Sequence, residues 1–212
     1  MDRHFMIKDF LNSGMAVLRT RWHFRKATSL GLRTRLWGRA SVQNYGTMIV
    51  GNRVRFVSTI TPIEIYAGTQ GRLEIGDSSF INYGCSIAAQ QLVRIGPRCH
   101  IGTYSHPKLV MKRSRSFRRL KPRLHATTPR GLLYVMMMDN DFHQLEPERR
   151  NEMPPLMSII LEENVWLGAR VIVLRGVTIG AGSVIGAGSV VTKNIPPRSL
   201  AVGVPAHVIR HI

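Results

Sequence analysis

From Leu161 to Lys193 an aliphatic side chain returns at every sixth position: Leu161, Leu167, Val173, Ile179, Ile185 and Val191. Gly168, Gly180 and Gly186 directly follow three of them, and the fifth place of each six is small or branched, at Val165, Val171, Val177, Ser183 and Ser189. A long-range period of six fits neither a helix nor a two-faced strand. It fits a solenoid of short strands joined by tight turns, with one aliphatic side chain per strand pointing to the axis. Three sixes close one triangular coil, and successive coils stack at the spacing of paired strands, roughly 4.8 Å.

The rhythm is weaker upstream. Val50 and Phe56 stand six apart, Pro62 and the Gly68 to Gly71 turn break the count, and Ile75, Ile81 and Ile87 restore it. Ile95-Gly96 and Ile101-Gly102 continue it after a step of eight, which places two bulged residues near Ala89-Gln90. The expected fold is therefore all-β: a parallel solenoid over residues 40–195, interrupted by a large loop over 104–158. Residues 1–39 form a basic N-terminal segment and 196–212 a C-terminal cap, where Pro196-Pro197 stop the coil.

Residues 3–27 space Phe5, Met6, Phe10, Met15, Leu18, Trp22 and Phe24 in a loosely helical way among arginines and lysines. Two readings stand. One is a helix that caps the open end of the first coil; the other is a basic amphipathic helix lying on the inner face of an anionic membrane.

The formal charge of +18 changes the picture only once it is mapped. Residues 1–40 hold nine Lys/Arg against Asp2 and Asp9, and residues 104–134 hold nine with no acid, so the repeat body is close to neutral. Such appendages suit an anionic membrane surface, a phosphate-bearing substrate or a solvated flexible loop. No interleaved aromatics or reading motif points to nucleic acid, and none is expected as a partner. Two cysteines, Cys85 and Cys99, are too few for a disulfide framework and fit a reducing cytoplasm as small buried side chains. No signal pattern opens the chain, and Arg170 and Arg175 interrupt its best apolar run.

The hexad run, NVWLGA at 164–169, IGAGSVV at 185–191 and TKNIPP…AVGVPAHVIR at 192–210 resemble hexapeptide-repeat acyltransferases, most of all the maltose, galactoside, nodulation-type and polysaccharide O-acetyltransferases. The resemblance covers residues 40–103 and 135–212. It implies a left-handed parallel β-helix and a homotrimer whose active sites lie between subunits. It further implies transfer of an acetyl group from acetyl-CoA to a hydroxyl of a sugar or surface-polysaccharide precursor, with no metal.

Carried over residue by residue, the general base falls on His143, in Asp139-Asn140-Asp141-Phe142-His143. Imidazole suits that task because it exchanges a proton near neutrality. Asn82 matches an asparagine that positions the acceptor or the tetrahedral intermediate, and Asp141 or Asp139 is the candidate to orient the imidazole. For acetyl-CoA the matching positions are Gly168, Ala169, Gly186, Ala187, Thr192, Lys193 and Arg210. Small residues let the pantetheine arm approach backbone amides, and the two cations suit phosphates. The glycines also serve as turn residues. His207 stands where the galactoside enzymes have a further arginine, and the basic stretch 104–134 is a departure from the family pattern.

Other classes stay open at this stage. The same machinery could serve an amine on an amino sugar or an antibiotic. A γ-carbonic-anhydrase-like metal site would need a histidine set whose H-x4-H spacing this chain lacks. A non-catalytic trimeric scaffold is the remaining reading, since fold alone does not prove activity.

Overall fold

In the computed structural model the backbone is described for residues 3–102 and 135–212, and side chains from residue 12 onward. The basic stretch 104–134 lies outside the described residues. What remains is a parallel β-solenoid of about six turns with an N-terminal helix.

Each coil has three faces. The first face carries β1 (Ser29–Leu30), β3 (Thr47–Val50), β5 (Arg72–Ile75), β8 (Leu92–Ile95), β11 (Ile159–Leu161) and β14 (Thr178–Ile179), paired in that order. The second carries the starts of β2 (Arg35–Asn44) and β4 (Arg55–Ala67), then β6 (Phe80–Ile81), β9 (His100–Ile101), β12 (Trp166–Leu167), β15 (Val184–Ile185) and β17 (Ser199–Gly203). The third carries the ends of β2 and β4, then β7 (Cys85–Ala89), β10 (Val135–Met138), β13 (Ile172–Val173) and β16 (Val190–Val191). Strands β2 and β4 run round a corner and so join the second and third faces into one sheet.

The hexad residues do the packing. Leu36, Phe56, Ile81, Ile101, Leu167 and Ile185 form one buried column, and Ile65, Ile87, Met137, Val173 and Val191 another. Every ladder in these columns is in register, so one aliphatic side chain lands on the next coil's equivalent and water is excluded along the axis. The turn from first to second face repeats as well. Arg33, Arg53, Ser78, Arg98, Asn164, Gly182 and Arg198 occupy it in successive coils with φ between 53° and 69°. The same corner conformation recurs whatever the side chain, so coil closure overrides the usual preference for glycine there.

The structure moves two boundaries. The solenoid starts at β1 rather than at residue 40, because Leu30 and Leu36 already pack on the core. The interruption at 104–158 is also two excursions rather than one. Strand β10 returns between them, and Met137 fills the core position between Ile87 and Val173. The extra residues after Ala89 sit at the corner between third and first faces, where the Asp139 carboxylate accepts the N–H groups of Gln90, Gln91 and Leu92 at 2.7–2.8 Å.

Helix α1 (Arg3–His23) packs on β2 and buries Ala16 and Thr20, and Phe24 just beyond it stacks on Phe56. This is the cap. At the other end β17 and β18 (Ala206–His211) form an antiparallel hairpin that closes the last coil.

Candidate functional site

His143 lies in the segment between β10 and β11, at the edge between the third and first faces, and is exposed. Its Nδ1 stands 2.7 Å from the carbonyl oxygen of Arg150. A carbonyl can only accept, so Nδ1 carries the proton and the neutral ring keeps its lone pair on Nε2. The backbone N–H of His143 also donates to the Asp141 carbonyl at 2.7 Å, which tightens the turn.

Neither expected carboxylate orients the imidazole. Asp139 is fully buried and holds the three N–H groups after Ala89. Asp141 is bound by the Arg175 guanidinium, which also donates to the Pro155 carbonyl at 3.1 Å. The orienting group is thus a backbone carbonyl, and Asp141 anchors the segment instead. Sequence reasoning missed Arg175. The signal that could have found it is spacing: Arg175 precedes Lys193 by eighteen residues, one full coil, so both stand on the edge from which the His143 segment departs.

The other candidates fall on two edges. Asn82, Gly168 and Gly186 directly follow Ile81, Leu167 and Ile185, at the edge between the second and third faces. With Gly102 they form one column, linked by Asn82 N–H to Ile101 O at 2.9 Å, Gly102 N–H to Leu167 O at 3.1 Å and Gly168 N–H to Ile185 O at 2.9 Å. Asn82 is fully buried. A Cβ on Gly102 would lie 2.9 Å from the Cβ of Asn82, and one on Gly168 would lie 2.7 Å from the amide nitrogen of Ala187. Both positions therefore need glycine for coil stacking whatever else they do. Ala169 and Ala187 flank the column, joined by Gly188 N–H to Ala169 O at 2.7 Å.

Thr192 and Lys193 belong to the other edge, one coil from Leu174 and Arg175 and on the same side as His143. Arg210 pairs with Leu200 across the terminal hairpin, at the foot of the second face. Within one chain, then, the glycine column with Asn82 and the histidine edge with Lys193 are held apart by the width of the third face.

From β10 to β16 that face is apolar on its outer side. Met136, Ile172 and Val190 form one outward column, whereas nearer the first coil Ser86, Glu64 and Ser41 continue the same column. Tyr66, Met138 and Leu174 belong to the next, with Leu174 38% exposed. The two cysteines contribute no nucleophile: burial pushes the Cys85 thiol up to about 12 and the Cys99 thiol up to about 11. No described helix is long and apolar enough to cross a membrane.

Comparison with known proteins accords with this architecture. Residues 158–193 match the family described as bacterial transferase hexapeptide (six repeats). The galactoside O-acetyltransferase of Escherichia coli K12 is 53% identical over 54 residues, which are 26% of this chain and 27% of that protein. A crystal structure of a hexapeptide-repeat acetyltransferase from Vibrio cholerae, complexed with acetyl coenzyme A, superposes with a TM-score of 0.54 at 21% identity, covering 94% of this chain and 85% of that one. The matched stretches span 27% to 36% of the length of the curated relatives that head the comparison. Through its six repeats, the stretch 158–193 matches the bacterial transferase hexapeptide family, and the coil that those repeats extend shares the fold of the Vibrio cholerae acetyltransferase.

Proposed function

We propose that the chain is an acetyltransferase that moves the acetyl group of acetyl-CoA to a hydroxyl of a sugar or glycan, with His143 as general base. The observation that carries this reading is the hydrogen bond from His143 Nδ1 to the Arg150 carbonyl at 2.7 Å. It leaves Nε2 as a proton acceptor held in one tautomer. Nε2 takes the acceptor proton as the hydroxyl oxygen attacks the thioester carbonyl. The tetrahedral intermediate then expels the CoA thiolate, and the imidazolium returns the proton to that sulfur. Asn82, at the head of the glycine column, serves the acceptor or the developing oxyanion. The column of Gly168 and Gly186, flanked by Ala169 and Ala187, offers the pantetheine arm a path of small residues toward Asn82. Arg210, Thr192 and Lys193 attend the phosphates and the distal end of the donor.

The two half-sites stand on different edges of one chain, which supports assembly of the site between copies. The third face, apolar from β10 to β16, lies between those edges. Three copies burying that face about a common axis would set the glycine edge of each against the histidine edge of the next, a closed cyclic arrangement. The homologous galactoside O-acetyltransferase and the acetyl-CoA complex of the Vibrio cholerae protein support the donor.

Two measurements test this reading together. Analytical ultracentrifugation should give three times the 23.9 kDa chain mass, and calorimetry should give one acetyl-CoA per chain. A trimer that binds no acetyl-CoA would leave the scaffold reading in its place, and a monomer would contradict the site between copies.

A further inference from the structure

Going from Asn82 toward the first coil, the same edge changes character. The glycine column lies on one side of Asn82; on the other side the corresponding positions are Val57 and Trp37, which are in register with each other. Arg35 and Arg55 precede Leu36 and Phe56 on the outer side of the second face and are also in register, so their backbones are one coil apart, roughly 4.8 Å.

Two like charges on adjacent strands repel unless a counter-charge lies between them. Among the described residues no carboxylate pairs with either arginine; the ion pairs belong to Glu74, Glu163, Glu152 and Asp141. The Arg55 guanidinium instead lies over Phe80, 5.5 Å from the ring centroid, and Phe80 stands 6.2 Å from His100. The Nε of Arg35 is buried with no hydrogen-bond partner. Helix α1 adds a third guanidinium, since Arg19 reaches the carbonyl of Leu36 at a long 3.5 Å. Arginines on a merely solvated surface would extend into water, whereas Arg35 and Arg55 are half-buried. A buried N–H without an acceptor is costly, and an anion between the two forks would satisfy it.

We propose that Arg35 and Arg55, with the half-buried indole of Trp37, form the acceptor-recognising part of the site, and that the acceptor carries a carboxylate or a phosphate ester. This rests on the acyl-transfer reading, which puts the donor along the glycines on the far side of Asn82. Guanidinium forks match carboxylate and phosphate geometry, and an indole suits the apolar face of a sugar ring. Asn82 lies between the two parts, where an acceptor hydroxyl and a thioester would meet.

The test is equilibrium binding of glucuronic acid, glucose 1-phosphate and glucose to the full chain and its variants. The proposal expects at least one anionic sugar to bind about tenfold or more tighter than glucose, and Arg35→Gln and Arg55→Gln each to lose about tenfold of that affinity. Arg55→Lys, which keeps the charge without the fork, should fall between. Arg72→Gln, an equal loss of charge on the first face, should bind as wild type does. Preference for glucuronic acid assigns a carboxylate acceptor, and preference for glucose 1-phosphate a phosphorylated one. Equal affinity for all three sugars, or an equal loss in Arg72→Gln, overturns the proposal. Titration with acetyl-CoA in the same samples separates the two readings. Arginine-dependent sugar binding without CoA binding would keep the anion site and remove the acyl-transfer reading.

Discussion

The guanidinium of Arg175 binds the carboxylate of Asp141 and also donates to the Pro155 carbonyl, so a corner one coil away ties down both ends of the segment that carries His143. The pair is partly exposed, with Arg175 at 26% and Asp141 at 40%, and contributes little to global stability. Its effect is on position. Arg175→Gln should lower kcat about ten- to a hundredfold, with the KM for acetyl-CoA nearly unchanged and a melting temperature close to wild type. A variant with wild-type kcat would show that the segment holds its shape without the pair.

Asp139 has a structural task. Its carboxylate is fully buried and accepts three backbone N–H groups from the bulged corner after Ala89. Asp139→Ala leaves all three donors without a partner and should cost about 2–4 kcal/mol in urea denaturation. Asp139→Asn keeps one acceptor oxygen and should cost less.

Gly102 and Gly188 separate steric crowding from backbone conformation. Both have positive φ, at 102° and 76°, but a Cβ on Gly188 meets nothing within 4 Å whereas one on Gly102 meets the Cβ of Asn82 at 2.9 Å. Gly188→Ala should cost about 1 kcal/mol from conformation alone. Gly102→Ala should cost more in thermal melting and, by displacing Asn82, should also lower kcat. Equal effects would show that the contact with Asn82 relaxes freely.

Glu74 links stability to pH. Burial pushes its carboxyl up, but hydrogen bonds and charge from Arg94 and Arg72 outweigh that and leave it below its ordinary value of 4.5. A depressed native value means that its contribution is fully present above about pH 4.5 and is lost as pH falls through the lower, native value. Glu74→Gln should therefore lower the melting temperature slightly at pH 7, and by progressively less as the pH falls below about 4.5. The reverse order would contradict the sign of the shift.

Much of the coil is legible in the sequence because its core positions obey one period: Leu161 through Val191 recur every six residues and land in register. Three sixes make eighteen, and that count alone puts Gly168 with Gly186 and Arg175 with Lys193 on separate edges. The first coil is harder to read because Leu30-Gly31 is its one clean signal, and Leu36 is followed by Trp37 amid arginines instead of by a small residue. Strand β10 is hidden for a different reason. Val135, Met136, Met137 and Met138 form a plain apolar run, and no hexad leads into it to set its phase. The orienting partner of His143 has no residue signature, since it is a backbone carbonyl. Nor are the roles of Asp139 and Asp141 written locally, because they depend on segments far away along the chain.

The central claim is that His143 moves the acceptor proton. The direct measurement is thiol release from acetyl-CoA by wild type and His143→Ala, across neutral, anionic and amino sugars and glycan acceptors. Acceptor-dependent release on hydroxyl sugars that falls by a factor of roughly a hundred or more in the variant, with acetyl-CoA still bound, is the predicted result. Equal release by both proteins would contradict the role given to His143, and release on amines alone would replace the hydroxyl acceptor with an amino group.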